Sequence, residues 1–261
     1  MKKEGFYIGL VCLVIMAGCS VDSPLPSNGE IEEVVLPEEE EEVVVFEKCC
    51  FPYAGVEWGY RKAEIGKHRE RRLAVIMYLH GGSSKGTDNE KQMSEPAIDT
   101  IANYLVSKRK RVVFLVPQCP EKDAKGKMMD WVKMASVLKG MLDAAQTEEE
   151  VSVYLFGGSM GGTGTWNMLS LYPHYFCAAM PCAGNPKNCD AAKVAQTPVY
   201  TVMGGKDRVM KPEEVRLQSF LDSVAAYGGE YQFDTEEAWD HETTCKESYT
   251  VQRLEWVFAH P

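Results

Sequence analysis

The chain has 261 residues, of which 45% are hydrophobic and 25% are charged, so it is long and apolar enough to bury one sizeable core. Its formal net charge is −10, but residues 20–47 alone hold ten acidic residues and no basic one. Residues 1–18 carry a net charge of +1, which leaves a net charge of −1 for the chain from Lys48 onward. This part of the chain is nearly neutral, so its charge gives no reason to expect binding to nucleic acid or to acidic substrates.

The first predicted element is an export signal. Lys2 and Lys3 precede the apolar run "FYIGLVCLVIMAGC" (6–19), which has signal-peptide length and is too short for a comfortable transmembrane helix. Its end, Met-Ala-Gly-Cys, resembles a bacterial lipobox, and the resemblance implies that Cys19 is lipidated and becomes the first mature residue. A plain signal peptide cleaved nearby is the alternative. We therefore expect an exported protein of the cell envelope, periplasmic or at the cell surface, held to the membrane through its lipid anchor.

An acidic segment follows the export signal. Its prolines and glutamate run leave it little to bury, so residues 19–47 are expected to form a disordered tether. The predicted organisation is a signal peptide (1–18), this tether, and one catalytic domain (48–261). The glutamate run is best explained as a solvated spacer between the membrane and the domain.

The cysteines give only a partial prediction. Seven of the nine remain after Cys12 and Cys19, so at least one is unpaired, although an oxidising compartment permits disulfides. Cys182 and Cys189 are candidate partners across a loop. The spacing of Cys and His residues matches no zinc site, so we predict neither a metal nor a cofactor.

From residue 43 onward, apolar segments of two kinds alternate. Short runs without polar interruption predict strands, and longer amphipathic segments between them predict helices. This alternation favours an α/β fold with a mostly parallel central sheet and helices on both faces, in a single domain. The predicted strands are residues 43–46, 73–82, 112–117, 153–158, 177–184 and 198–205, with a last one before His241, and the predicted helices lie near 91–109, 131–147, 160–172, 213–227 and 244–259.

The residues that follow the predicted strands are the informative ones, because ligands of such sheets bind beyond the carboxyl ends of the strands. They include Gly81-Gly82-Ser83, Gln118-Cys119 and Gly158-Ser159-Met160, and further along the chain Asp207 and His241. A serine, an acid and a histidine are thus expected at one edge of the sheet.

Ser159 is the candidate nucleophile. It lies in Gly157-Gly158-Ser159-Met160-Gly161, which matches G-x-S-x-G. The motif follows a predicted strand and opens a predicted helix, which is the context that a nucleophile elbow requires. A phosphate-binding loop is the competing interpretation, but the segment lacks the Gly-Lys-Ser/Thr ending of that motif.

A serine hydroxyl needs a base, and the base needs an orienting carboxylate. Among the five histidines, His241 directly follows the last predicted strand, from where a loop could reach back to the elbow, whereas His260 lies next to the C-terminus. Asp207 lies between a strand and a helix start at Pro212, and the order Ser159, Asp207, His241 is that of α/β-hydrolases. Asp240, the neighbour of His241, is the competing acid.

Acyl transfer also requires donors to a developing oxyanion. The backbone N–H of Met160, at the start of the predicted helix, is one candidate. The second is the N–H of Gly82, since His80-Gly81-Gly82 after a strand matches the HGG-type loop of esterases. His80 is then expected to hold the loop rather than to take part in the chemistry.

Together these segments resemble the secreted esterase branch of the α/β-hydrolases, over roughly residue 53 to the C-terminus. That branch includes feruloyl and acetyl-xylan esterases, polyhydroxybutyrate-depolymerase-like proteins, phospholipase/carboxylesterase-like proteins and prolyl-oligopeptidase-like peptidases. The resemblance implies the α/β-hydrolase fold and the site residues named above. One departure is that family members often have a tryptophan soon after the catalytic histidine, whereas "HETTCKESY" (241–249) follows here. The segments that carry the resemblance are "YLHGGSSKGTDN", "VPQCP", "GGSMGGTGTW", "VMGGKDRVM" and the late histidine.

The leading hypothesis is therefore a serine carboxylic-ester hydrolase that works through an acyl-enzyme. By resemblance, its substrates are esters on plant polysaccharides, with feruloyl or acetyl groups. Gln118, Trp131 and Trp239 are the candidate substrate contacts, although packing at the edge of the sheet would explain each tryptophan equally well. A prolyl-oligopeptidase-type serine peptidase and a non-catalytic binding protein on a hydrolase scaffold are the alternatives.

Overall fold

The computed structural model describes residues 42–261. In this part of the chain eight strands form one sheet in the order β1-β2-β4-β3-β5-β6-β7-β8. β1 pairs with β2, and β2 with β4, in antiparallel fashion, whereas all other neighbours are parallel. The strands are β1 (Glu47–Tyr53), β2 (Val56–Ile65), β3 (Ala74–Leu79), β4 (Val112–Pro117), β5 (Ser152–Gly158), β6 (Ala178–Cys182), β7 (Val199–Gly204) and β8 (Tyr231–Glu236).

Helices cover both faces of this sheet. Short 3₁₀ turns at Gly82–Ser84 and Lys91–Ser94 precede the first α-helix. The predicted helix near 91–109 is therefore a turn followed by a helix, and the predicted helix near 244–259 is two helices. The α-helices are α1 (Pro96–Ser107), α2 (Ala135–Ala145), α3 (Met160–Leu171), α4 (Ala191–Val194), α5 (Pro212–Val215), α6 (Leu217–Ala226), α7 (His241–Glu247) and α8 (Val251–Val257).

The strand side chains alternate between two buried clusters. Val75 and Met77 of β3 lie in the cluster that α2, α3 and α6 cover, and Ile76 and Tyr78 lie in the cluster that α1 and α8 cover. Both faces of the central strands are thus apolar, which explains their uninterrupted hydrophobic runs. The prediction of a mostly parallel sheet with helices on both faces is confirmed.

The first hairpin was not predicted. The run 43–46 is not a strand; β1 begins at Glu47 and β2 follows after a tight turn, with Tyr53 paired to Val56. Both strands carry charged and half-exposed side chains, and β1 forms an edge of the sheet. Such strands lack the continuous apolar pattern on which the prediction depended.

The predicted end of the tether needs a correction. The predicted tether extends to residue 47, but the structure places residues from Glu42 onward on the domain. The Glu42 carboxylate accepts a hydrogen bond from the Gly66 N–H at 2.5 Å and forms an ion pair with Arg69 at 2.7 Å. The ring of Phe46 packs edge-on against Phe114 at 5.3 Å. Residues 42–47 therefore belong to the domain. The predicted signal peptide, the lipidation site Cys19 and the rest of the predicted tether lie outside the described residues.

The seven cysteines of the described chain are all free thiols, so the suggested pairing of Cys182 with Cys189 is wrong. Cys182 ends β6 and lies in the cluster beneath α1 and α8, whereas Cys189 packs against the cluster on the opposite face of the sheet. The sheet itself separates the two sulfur atoms. Among residues 42–261, no helix has the length and hydropathy needed to cross a bilayer.

Candidate active site

Ser159 occupies the sharp turn between β5 and α3. Its backbone has φ 58° and ψ −118°, and a positive φ costs a non-glycine residue about 1–3 kcal/mol. The turn is supported by a hydrogen bond from the Ser159 N–H to the Cys182 carbonyl at 3.0 Å. This strained turn leaves the serine in a cavity of about 470 Å³ at the carboxyl edge of the sheet. The local geometry is that of a nucleophile elbow.

Close backbone packing explains the glycines around this serine. A Cβ at Gly161 would lie 1.7 Å from the carbonyl oxygen of Leu79, and one at Gly157 would lie 2.5 Å from that of Gly161. The first turn of α3 therefore crosses the end of β3 with backbone against backbone. Only glycine permits this approach, so these two glycines serve to place the helix against the strand.

The structure brings the serine, the histidine and the acid together. Ser159 Oγ lies 2.7 Å from His241 Nε2, and His241 Nδ1 lies 2.7 Å from Asp207 Oδ2. A carboxylate can only accept, so Nδ1 carries the proton and Nε2 is left to accept the serine hydroxyl proton. The three side chains form the continuous relay that a serine nucleophile needs.

Asp207 is held rigidly. It is 3% exposed, and its second oxygen, Oδ1, accepts hydrogen bonds from the N–H groups of Val209 at 2.8 Å and Met210 at 2.7 Å. The competing acid, Asp240, instead caps α7 by accepting the Thr243 N–H at 2.9 Å. Each carboxylate thus has its own set of partners, and Asp207 is the one on His241.

The loops after β7 and β8 are joined through Trp239. Its backbone carbonyl accepts a hydrogen bond from the Lys206 N–H at 2.9 Å. Its half-buried ring lies 5.6 Å from the guanidinium of Arg253. The same guanidinium forms ion pairs with Asp234 and Glu236. The loops that carry the acid and the histidine are therefore fixed to each other. Trp239 does not line the cavity around Ser159, so its prediction as a substrate contact is corrected: it packs against Arg253.

Both predicted oxyanion donors lie beside the serine. Met160 is the first residue of α3, where an N–H has no acceptor within its own helix. Gly82 lines the cavity and is the first residue of a 3₁₀ turn. In this turn the Ser84 N–H donates to the Gly81 carbonyl at 3.3 Å. The turn therefore contains no acceptor for the Gly82 N–H. Neither N–H group is used by a hydrogen bond of its own turn, and both residues lie next to or in the cavity that contains Ser159.

His80 is buried beneath the Gly82 loop, and the sequence predicted that it holds this loop rather than taking part in the chemistry. It is 0% exposed; Nδ1 donates to the Gly81 carbonyl at 2.6 Å, and Nε2 accepts the Cys119 N–H at 3.0 Å. Trp131 donates from Nε1 to the His80 carbonyl at 3.0 Å and is 1% exposed. The prediction of Trp131 as a substrate contact is therefore wrong, because its ring is buried against His80.

Burial lowers the pKa of His80 from 6.5 to about 4. In the unfolded chain this imidazole takes up a proton near pH 6.5, whereas in the folded protein it resists protonation down to about pH 4. The unfolded state thus binds more protons, and the free energy of unfolding should fall by about 3 kcal/mol as the pH drops through this window.

The measurement is urea unfolding at pH 7.5, 6, 5 and 4.5, for the protein and for His80→Gln. Glutamine can present an acceptor to the Cys119 N–H but does not titrate. We expect the variant to lose a smaller part of its stability between pH 7.5 and 4.5. Equal losses in both proteins would contradict the assignment.

Gln118 is 3% exposed and holds the loop that follows the Gly82 turn. Its Nε2 donates to Asp88 Oδ1 at 2.8 Å, and its Oε1 accepts the Asn89 N–H at 2.7 Å. It lines a separate cavity of about 500 Å³ that also includes Trp58. Gln118 is therefore a loop anchor rather than a contact in the Ser159 cavity, which corrects that prediction.

The Ser159 cavity has a polar lining that sequence reasoning did not identify. Besides Ser159, His241 and Gly82, it includes the side chains of Ser84, Ser94, Glu95 and Lys246. The only local signal for Glu95 is its position before Pro96, which is typical of a helix start. Within the described residues, no three His, Cys, Asp or Glu side chains gather in a metal-binding arrangement.

Comparison with known proteins establishes the fold. No protein-family model and no curated protein match the sequence. The structure resembles a thermostable esterase (TM-score 0.66, 23% identity, 82% of this chain and 62% of that one). It also resembles Est1E from Butyrivibrio proteoclasticus with bound ferulic acid (TM-score 0.60, 14% identity, 81% of this chain and 99% of that one). A third similar structure is an acylaminoacyl peptidase from Pyrococcus horikoshii (TM-score 0.58, 12% identity, 82% of this chain and 40% of that one). The match covers about three fifths of the length of the thermostable esterase. At these sequence identities, the structural likeness shows the α/β-hydrolase fold.

Proposed function

We propose that this protein is a serine-dependent carboxylic-ester hydrolase that works through an acyl-enzyme. The observation that carries the proposal is the relay Ser159–His241–Asp207, with 2.7 Å at each of its two links. A protein that only binds a ligand has no need for this relay at the end of a strained elbow. Fold alone would not distinguish the two, because one fold hosts many functions.

The chemistry follows from the positions of the proton and of the free N–H groups. Ser159 Oγ attacks the ester carbonyl while His241 Nε2 takes its proton, and Asp207 stabilises the imidazolium through Nδ1. The N–H groups of Gly82 and Met160 receive the oxyanion. When the intermediate collapses, His241 returns the proton to the departing alcohol. Water then attacks the acyl-enzyme by the same route, releasing the carboxylic acid and restoring the serine.

For the substrate we propose feruloyl or acetyl esters on plant polysaccharides. The support is the resemblance of the motifs to the secreted esterase branch and the likeness in fold to Est1E, whose structure contains ferulic acid. A cavity of about 470 Å³ is within the size range of small-molecule sites. An envelope location with a lipid anchor at Cys19 is also a proposal, which rests on residues 6–19 of the sequence.

The test is hydrolysis of methyl ferulate and of nitrophenyl acetate by the purified protein, with Ser159→Ala as the control. We expect serine-dependent turnover of both esters and a loss of about 10⁴-fold or more in kcat for Ser159→Ala, because nucleophile and base act as a unit. Turnover of nitrophenyl acetate alone would overturn the feruloyl proposal and keep the esterase. Full activity of Ser159→Ala on every ester would contradict the esterase itself.

A peptidase is the second candidate, because the fold is shared with an acylaminoacyl peptidase. An acetylated amino-acid nitroanilide separates the two activities, since its leaving group is an amine. We expect hydrolysis of the corresponding methyl ester without measurable turnover of the anilide. Serine-dependent release of nitroaniline would favour the peptidase.

A further inference from the structure

Glu95 is an acidic side chain in the lining of the Ser159 cavity with no role in the relay. It is half-buried and immediately precedes Pro96 at the start of α1, but its side chain does not cap that helix. Its hydrogen bonds instead run across the cavity wall to the loop after β3. This carboxylate therefore serves something other than its own helix.

One oxygen of Glu95 binds the Gly82 loop at both of its ends. Oε1 accepts the Gly81 N–H at 3.1 Å and the Ser84 Oγ–H at 2.6 Å. These two residues flank the Gly82-Ser83 segment, whose turn is closed by the Ser84 N–H on the Gly81 carbonyl. The loop is thereby attached to α1 on either side of Gly82.

The same bonds engage the Gly81 N–H, which is therefore not available to a ligand. The Gly81 N–H is directed to Glu95, although Gly81 is so close to the elbow that a Cβ on it would lie 3.6 Å from Ser159 Cβ. Gly82 itself lines the cavity, and the bond that closes its turn comes from the Ser84 N–H and not from its own. Because both hydrogen bonds are made within the protein, the loop is held before any substrate arrives.

We propose that Glu95 is a positioning residue that fixes the Gly82 N–H as an oxyanion donor. The inference rests on the proposed esterase function. An oxyanion donor contributes most when it is already oriented as the charge develops, and a misplacement of about 1 Å can cost about 10²-fold in rate. Glu95 therefore acts through Gly82 and touches no reacting atom.

The geometry offers a matched pair of variants. Both bonds end on Oε1, and within residues 42–261 no hydrogen bond to Oε2 is found. In Glu95→Gln the amide oxygen can accept both donors, and the nitrogen replaces the oxygen that lacks a partner, so only the charge is removed. In Glu95→Ala both hydrogen bonds are lost. Ser84→Ala removes one of the two donors and is expected to lie between them.

The experiment measures kcat and KM for nitrophenyl acetate, with active sites counted by fluorophosphonate labelling and folding checked by thermal unfolding. We expect Glu95→Ala to lower kcat about 10- to 100-fold with KM within about threefold, because the loss is confined to the transition state. Glu95→Gln should keep kcat within about threefold of the unmodified protein. Glu149→Ala, an exposed site in the loop before β5, controls for the loss of an acidic side chain.

Two results would overturn the inference while leaving the esterase in place. One is a normal kcat in Glu95→Ala, which would show that the bonds position nothing. The other is an equal loss in Glu95→Gln and Glu95→Ala, which would assign the effect to charge. If the unmodified protein hydrolyses no ester and Ser159 is not labelled, the proposed function fails, and the inference is overturned with it.

Discussion

Replacing Asp207 by Asn is expected to lower kcat for ester hydrolysis by about 10⁴-fold while the protein remains folded. The reason lies in how the two oxygens are used. Oδ1 accepts two backbone N–H groups, from Val209 and Met210, so the asparagine carbonyl must take that position. The amide nitrogen then faces His241 Nδ1 and donates to it. The imidazole proton is forced onto Nε2, which can no longer accept the Ser159 proton.

Asp240→Asn is the matched control, since it makes the same chemical change one residue before the histidine. Asn is as good an N-cap as Asp and can still accept the Thr243 N–H, so kcat should stay within about threefold. Steady-state kinetics of both variants, with melting temperatures, make the comparison. A large loss in Asp240→Asn together with a small one in Asp207→Asn would reverse the assignment of the acid.

Gly161→Ala is expected to lower the free energy of unfolding by about 3 kcal/mol or more, which is the upper end of the range for overpacked cores. It is also expected to reduce kcat by at least about 10²-fold. The added Cβ would lie 1.7 Å from the Leu79 carbonyl oxygen and 2.9 Å from that of His80. Both atoms belong to the backbone, so α3 or the end of β3 has to move. Either movement separates Ser159 from the Gly82 loop.

Gly82→Ala provides the comparison for stability, because a Cβ at that position meets no atom within 4 Å. Urea unfolding should show a change of no more than about 1 kcal/mol for Gly82→Ala and a much larger one for Gly161→Ala. Equal stabilities of the two variants would mean that the crossing of α3 over β3 is looser than the structure indicates.

The sequence predicted the candidate site more completely than the fold around it. Ser159, Asp207 and His241 follow β5, β7 and β8, and parallel strands bring their carboxyl ends to one edge whatever the details of packing. Only the chain positions of strand ends were needed for that prediction. The β1–β2 hairpin was missed because half-exposed antiparallel strands have no comparable apolar run.

The predicted substrate contacts failed for a different reason. Gln118 directly follows β4 as expected, and Trp131 lies in the loop before α2, but both side chains turn inward, onto the loop at Asn89 and onto His80. Position after a strand indicates the edge of the sheet and not the direction of a side chain. Glu95 shows the converse: its bonds to Gly81 and Ser84 depend on how α1 packs, which no local pattern records.

The ion pair of Glu42 with Arg69 also fixes the position of the first described residue on the domain. Arg69 donates to the Lys110 carbonyl, just before β4 begins, and Glu42 accepts from Gly66, just after the antiparallel β2 ends. Both points lie at the amino edge of the parallel strands, whereas Ser159 lies at the carboxyl edge. The six residues of β3 separate these edges by roughly 20 Å. Glu42, where the described part of the chain begins, and the Ser159 cavity thus lie at opposite edges of the sheet, so the contacts that hold Glu42 leave the lining of the cavity untouched.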